Sequence, residues 1–213
     1  MAGFTAHMTV STALGVGYGA AAVNPLGFSP SAGFLAAGLT AAGGMLPDLD
    51  SDTGVPVRHL SGLAAVVLPM LLVPRLKAAD FDDEALLFTV GLMYLLIRYG
   101  ASYLFKKVTV HRGMFHSIPA MLICGLLVYL EFHGPLRTRL LLAGGVMLGF
   151  LSHLILDEIY SVDFNGMRVR LKPSAGSAVK FFSPSIWGTG VCYGLLGGLG
   201  CLAYADWVRN VSL

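Results

Sequence analysis

Charged side chains are what this sequence has least of. Asp, Glu, Lys and Arg make up 12% of its 213 residues, against roughly a quarter in ordinary soluble domains. With 55% hydrophobic residues and a mean hydropathy of +0.73, lipid rather than water is the solvent this composition suits. Runs of one charge are also missing. The 14 basic residues lie scattered between apolar blocks and the net charge is only +2, which excludes a nucleic-acid-binding arm. Cysteine is scarce: Cys124, Cys192 and Cys201 are the three, all inside apolar stretches and without metal-type spacing. That excludes a disulfide framework or a cysteine zinc site. Met1 to Thr12 has no basic n-region, so it does not read as a cleaved signal peptide, and His7 is expected to persist. The apolar residues form repeated blocks rather than one tail, so a single anchor on a soluble domain does not fit. Residues 1–213 are expected to be one membrane domain.

Set against the roughly 20 residues that span a bilayer, the blocks predict seven helices, near 8–23, 31–47, 60–74, 85–105, 117–131, 140–160 and 187–206. The fold class expected is all-α, a polytopic membrane helical bundle with some short members. Breakers stand between the blocks: Asn24-Pro25 to Pro30, Pro47, Pro74 and Gly134-Pro135. Gly15, Gly17, Gly19, Gly38, Gly43 and Gly44 are small enough to let helices approach closely. With seven helices, the N-terminus and the loops at 48–59, 106–116 and 161–186 share one side. That side holds eight basic residues: Arg58, Lys106, Lys107, Arg112, Arg168, Arg170, Lys172 and Lys180. The other holds five, Arg75, Lys77, Arg137, Arg139 and Arg209, so the positive-inside bias makes the first side cytoplasmic. Asn165-Gly166 is a two-residue hairpin signal, and Met167, Val169 and Leu171 alternate with Arg168, Arg170 and Lys172. A small hairpin is expected near 162–172, its basic face turned to phosphate groups, the alternative being an ordinary juxtamembrane basic loop.

Four segments bring ionisable groups to that one side, where such groups are costly and usually functional. In Ser152-His153-Leu154-Ile155-Leu156-Asp157-Glu158, His153 and Asp157 are one helical turn apart on one face. They either bind a divalent metal together, or form a hydrogen-bonded pair that satisfies two buried groups. Asp48, Asp50 and Asp52 follow Pro47 at alternate positions. Such a density of carboxylates repels unless a cation neutralises it; Asp52 reads as a solvated turn residue, and the Gly and Glu of a calcium loop are missing. His111 and His116 would diverge by about 140° on an unbroken helix, but Gly113 between them allows a bend. Arg112 suits bidentate phosphate binding, or else snorkels to the interface. Ser117 before Ile118-Pro119 reads as a helix N-cap. His7 alone reads as an interfacial polar residue, and His59 and His133 as loop residues.

His7, Leu46-Pro47-Asp48-Leu49-Asp50, His111 to Ser117 and Gly149 to Ser161 occur in an order that resembles a bacterial family of inner-membrane proteins assigned as metal-dependent hydrolases and associated with the SOS repressor. The likeness runs through about residues 1 to 185. It implies a membrane-embedded metal hydrolase with ligands at His7, Asp48, Asp50, His111, His116, His153 and Asp157. A looser likeness is to zinc-dependent phospholipase C and related nucleases, whose H-x-x-x-D pair is matched by His153 and Asp157. The Trp at the start and the later His and Glu pattern of those enzymes are absent, which puts a three-metal cluster in doubt.

Four histidines and three aspartates are too many for one tetrahedral zinc and enough for two ions sharing a carboxylate. The function expected is phosphoester hydrolysis at the cytoplasmic face of the bacterial inner membrane. Two divalent ions, zinc or alternatively manganese, would serve it, with Asp48 or Asp50 bridging them or taking a proton from water, and Arg112 holding the phosphate. The substrate class is a lipid head group or another phosphorylated compound. The rival readings are a divalent-cation transporter, which would want its ligands at the midplane on broken helices, and a metal-binding membrane protein without catalysis.

Overall fold

A computed structural model describes residues 2–50, 55–100, 114, 116–165, 168–171, 180–182 and 185–211. The chain divides into two compact units, one of Met1–Pro47 with Arg112–Leu213 and one of Asp48–His111. Seven α-helices lie among the described residues: α1 Phe4–Val23, α2 Pro30–Gly43, α3 Val55–Ala78, α4 Asp83–Leu95, α5 Ile118–Glu131, α6 Leu136–Ile159 and α7 Ile186–Val211. They overlap the seven apolar blocks. Of the described helices, Leu136–Ile159 and Ile186–Asn210 are long and apolar enough to cross a membrane.

Helix starts follow local chemistry. Ser29 caps α2 by accepting the Ala32 N–H at 3.2 Å, and Ser117 caps α5 by accepting the Ala120 N–H at 3.2 Å. In both, a proline occupies the first turn, where its missing N–H costs nothing. Asp82 caps α4 through the Ala85 N–H at 2.7 Å, with Asp83 and Glu84 placed to meet the positive end of the helix dipole.

The larger unit is built around α6. Its Leu142, Phe150 and Leu154 are fully buried, and it packs against α1, α2 and α5, while α5 also packs against α7. Backbone contact rather than side-chain interdigitation sets the α1, α2 and α6 spacing. A Cβ on Gly149 would stand 1.9 Å from the Thr40 carbonyl oxygen, and one on Gly19 would stand 2.4 Å from that of Gly33. Gly43 and Gly15 make similar close approaches, to Val146 and Ala37. Gly17 and Gly38 do not: no neighbour lies within 4 Å of a Cβ at either, so the close-packing role expected of them falls to other positions.

At the start of α6, Arg139 is buried and pairs with Asp206 of α7 at 2.7 Å. Its Nε donates to the Tyr129 carbonyl at 2.9 Å, its guanidinium lies over the Tyr129 ring, and the Tyr129 hydroxyl donates to Asp206 at 3.0 Å. Arg139 is therefore not the loop charge the sequence suggested. The helix begins four residues before the expected 140, and a cation drawn into the bundle was matched by an anion on another helix.

The segment with the Asn165-Gly166 signal forms two short strands, β1 Val162–Asn165 and β2 Arg168–Leu171, paired antiparallel with Asn165 opposite Arg168. In the smaller unit α3 packs against α4, which continues as a π-helical turn over Leu96–Gly100. Pro74 was expected to end the third helix, but α3 runs through Pro69 and Pro74 to Ala78. Apolar surroundings penalise loss of backbone hydrogen bonds so heavily that a helix carries a proline rather than unwinding at it.

Gly149→Ala should lower the thermal unfolding midpoint in detergent by an amount equivalent to about 1–3 kcal/mol, the usual cost of overpacking. Gly17→Ala, facing open space, should leave the midpoint unchanged or slightly raised.

Candidate metal centre

Four of the expected ligands meet at one end of the larger unit. His7 lies in the first turn of α1, which begins at Phe4 rather than near residue 8 and so carries His7 on a helix. His116 sits two residues before α5, and His153 and Asp157 occupy the last two turns of α6. Relative exposures are 2%, 3%, 1% and 2% for His7, His116, His153 and Asp157, so water does little to screen them. One ligand atom each from His116, His153 and Asp157 lies within 4.8 Å of the other two, a grouping that could hold a metal ion.

The protonation pattern follows from the partners. His153 Nδ1 lies 2.8 Å from the Gly44 carbonyl oxygen. A carbonyl only accepts, so Nδ1 carries the hydrogen and Nε2 of the neutral ring presents a lone pair. That Nε2 is 3.7 Å from Asp157 Oδ2, and His116 Nε2 is 3.9 Å from the same oxygen. Asp157 Oδ1 accepts from the Ala2 N–H at 3.0 Å and from His7 Nε2 at 3.1 Å. With Nε2 donating, Nδ1 of a neutral His7 is the second lone pair; neither it nor Asp157 Oδ2 has a hydrogen-bond partner in the structure. The His7 and His153 rings stack at 3.6 Å and 11°, a contact at which two positive rings would repel.

A carboxylate oxygen with two imidazole nitrogens converging on it in a buried place is a grouping that could hold a metal ion. The alternative is that Asp157 merely satisfies the start of α1, and for Oδ1 that account is sufficient. It leaves Oδ2 unexplained. It also leaves unexplained a carboxylate in the last turn of α6, where the helix dipole opposes negative charge. A tetrahedron with zinc bonds of 2.0–2.1 Å has edges of about 3.3–3.4 Å. The separations of 3.7 and 3.9 Å thus need only a few tenths of an ångström of contraction. The donor set of imidazoles and one carboxylate is a zinc-type set, and these residues fit the ion.

Asp48 and Asp50 lie on a 3-10 turn, Pro47–Asp50, that follows α2 directly. Asp48 is half-buried and is the first residue of the smaller unit; the Asp50 side chain, His111 and Arg112 lie outside the described residues. Two contributors were not singled out from the sequence. Gly44 stands out in the sequence only as a small packing residue, yet its carbonyl fixes the His153 tautomer, in the manner of the backbone acceptors that orient metal-binding imidazoles. The Ala2 N–H, which turns Asp157 Oδ1 away from the centre, carries no side-chain signal at all.

A family model described as YdjM inner membrane protein matches residues 1–210. Comparison with curated proteins and with solved structures gives no match.

Asp157→Asn should weaken zinc binding by at least the 10–100-fold seen when an orienting partner alone is lost, measured by competition with a chromogenic chelator. Zinc should raise the melting temperature of the wild-type protein and leave that of the variant unchanged.

Proposed function

The chain belongs to the YdjM inner membrane protein family, and on that premise we propose that it is a membrane-embedded, metal-dependent hydrolase of phosphoesters, acting at the cytoplasmic face of the bacterial inner membrane. The observation that carries this reading is the convergence of His116 Nε2 and His153 Nε2 on Asp157 Oδ2, at 3.9 and 3.7 Å, in a buried place. His116, His153 and Asp157 would hold one ion with three protein ligands, the number that leaves a zinc one position for water or substrate. The remaining expected ligands, His7, His111, Asp48 and Asp50, would serve a second ion. Zinc suits these donors best, and manganese is the alternative. A divalent pair supplies the positive charge that acidifies a water molecule and steadies the oxygens of an in-line phosphoryl displacement.

The protein's own groups do the rest. Gly44 and Asp157 orient the His153 and His7 rings. Asp48 or Asp50 would take the proton from the attacking water, and Arg112 would grip the phosphate with its planar fork. The positive-inside bias supports a cytoplasmic site, and moving Arg139 into the bundle removes one charge from the opposing side's tally.

Location weighs against the transporter. His7, His116, His153 and Asp157 all sit at helix ends, whereas a cation pathway wants broken helices near the midplane. Burial gives some support to a metal site without catalysis, because closed sites are the structural ones. Activity separates the two readings. Purified protein loaded with zinc or manganese should hydrolyse phosphomonoester or phosphodiester substrates, with at least 10²-fold loss of turnover in His153→Ala. A stoichiometric metal content in both proteins with equal turnover, or with none, would leave only the non-catalytic reading.

A further inference from the structure

The end of the bundle that holds the metal centre also carries a set of large apolar side chains that face outward yet are fixed in place. Phe182 is 69% exposed, but its ring stacks on Tyr193 of α7 at 5.7 Å. The Tyr193 hydroxyl donates to the Phe181 carbonyl at 3.1 Å. Lys180, next in the chain, accepts the Ile118 N–H at 3.2 Å and bridges to Ser117, the residue after His116. Trp187 is 86% exposed in the first turn of α7. Its neighbour Thr189 meets the Met114 sulfur at 3.9 Å, two residues before His116. A free apolar side chain in water folds back or moves. Phe182 is held outward by Tyr193, and Phe181 and Trp187 stand exposed beside it, the placement of aromatic anchors at a membrane interface.

Two polar layers give this end a depth. The Arg139–Asp206 pair closes the opposite end of α6 and α7, and Asp157 is about 27 Å further along α6 at 1.5 Å per residue. Trp187 and Trp207 are separated by about 30 Å on α7 by the same rise, which matches the hydrocarbon thickness of a bilayer. The metal centre therefore lies at the level of one head-group layer.

We propose that Phe181, Phe182 and Trp187 form an interfacial collar beside the metal centre, and that the substrate is a membrane amphiphile with a phosphorylated head group, taken from the leaflet at that depth. This rests on the hydrolase reading. The acyl chains remain among the collar and the lipid around it, and the head group alone reaches the His and Asp cluster.

Zinc-loaded protein in nanodiscs containing phosphatidylglycerol or phosphatidic acid, compared with soluble p-nitrophenyl phosphate and its diester, tests this. A Phe182→Ser/Trp187→Ser variant should show a rise on the order of tenfold in apparent KM for bilayer lipid. Its turnover of the soluble esters and its zinc content should be unchanged. Equal losses on both substrate types, or wild-type hydrolysis of soluble esters alone, would overturn the proposal while leaving the hydrolase reading intact. If nothing is hydrolysed the hydrolase reading fails, and with it the amphiphile as substrate. The collar is then judged separately by quenching of Trp187 in a Trp207→Phe background. Strong quenching by lipids brominated near the head group supports it, and quenching strongest at mid-chain overturns it.

Discussion

A single buried carboxylate organises the larger unit. Asp157 stands at the negative end of α6, where its charge is opposed by the helix dipole. It is tolerated because α1 turns its start toward one oxygen, through Ala2 and His7, and because two imidazoles converge on the other. Taking an ionised carboxylate from water is so costly that only full compensation makes it persist. The hydrogen bonds compensate Oδ1. Around the second oxygen stand the Nε2 atoms of His116 and His153, at 3.9 and 3.7 Å, a grouping that could hold a metal ion.

The helix packing serves the same end. Gly149 lets α2 lie against α6 at backbone contact, and Gly44, a residue past α2, reaches His153 because of that closeness. Bulk at the α2–α6 crossing would push the Gly44 carbonyl away and free the His153 ring to adopt either tautomer. Stability of the bundle and readiness of the centre are thus coupled through one interhelical distance. At the far end the Arg139, Tyr129 and Asp206 cluster closes α5, α6 and α7 together, so both ends of α6 are tied by ionisable groups that have specific partners.

Much of the helical pattern was legible because lipid-type composition leaves long apolar blocks separated by Pro, Gly and charge, and the Ser117 cap with Pro119 is a local signal that needs no tertiary help. The i, i+4 spacing of His153 and Asp157 was legible for the same reason: helical geometry alone puts them on one face. Pro74 misled, because a breaker in water is tolerated where the alternative is an unsatisfied backbone in an apolar medium. Arg139 misled because a charge near a block's edge looks the same whether it faces solvent or an aspartate 67 positions away.

The amino-acid sequence by itself determined the helical class, the apolar solvent, the order of the His and Asp segments and the pairing of His153 with Asp157. These are consequences of composition and of spacing within one turn, which require no knowledge of neighbours. Only the tertiary structure decided that His7 hydrogen-bonds to Asp157 and stacks on His153, that His116 joins them, and that the carbonyl of Gly44 sets a tautomer. Those contacts link residues 109 to 150 positions apart for Gly44 and His7. They depend on how closely three helices approach, a quantity that glycine backbones fix in space and that leaves no periodicity along the chain.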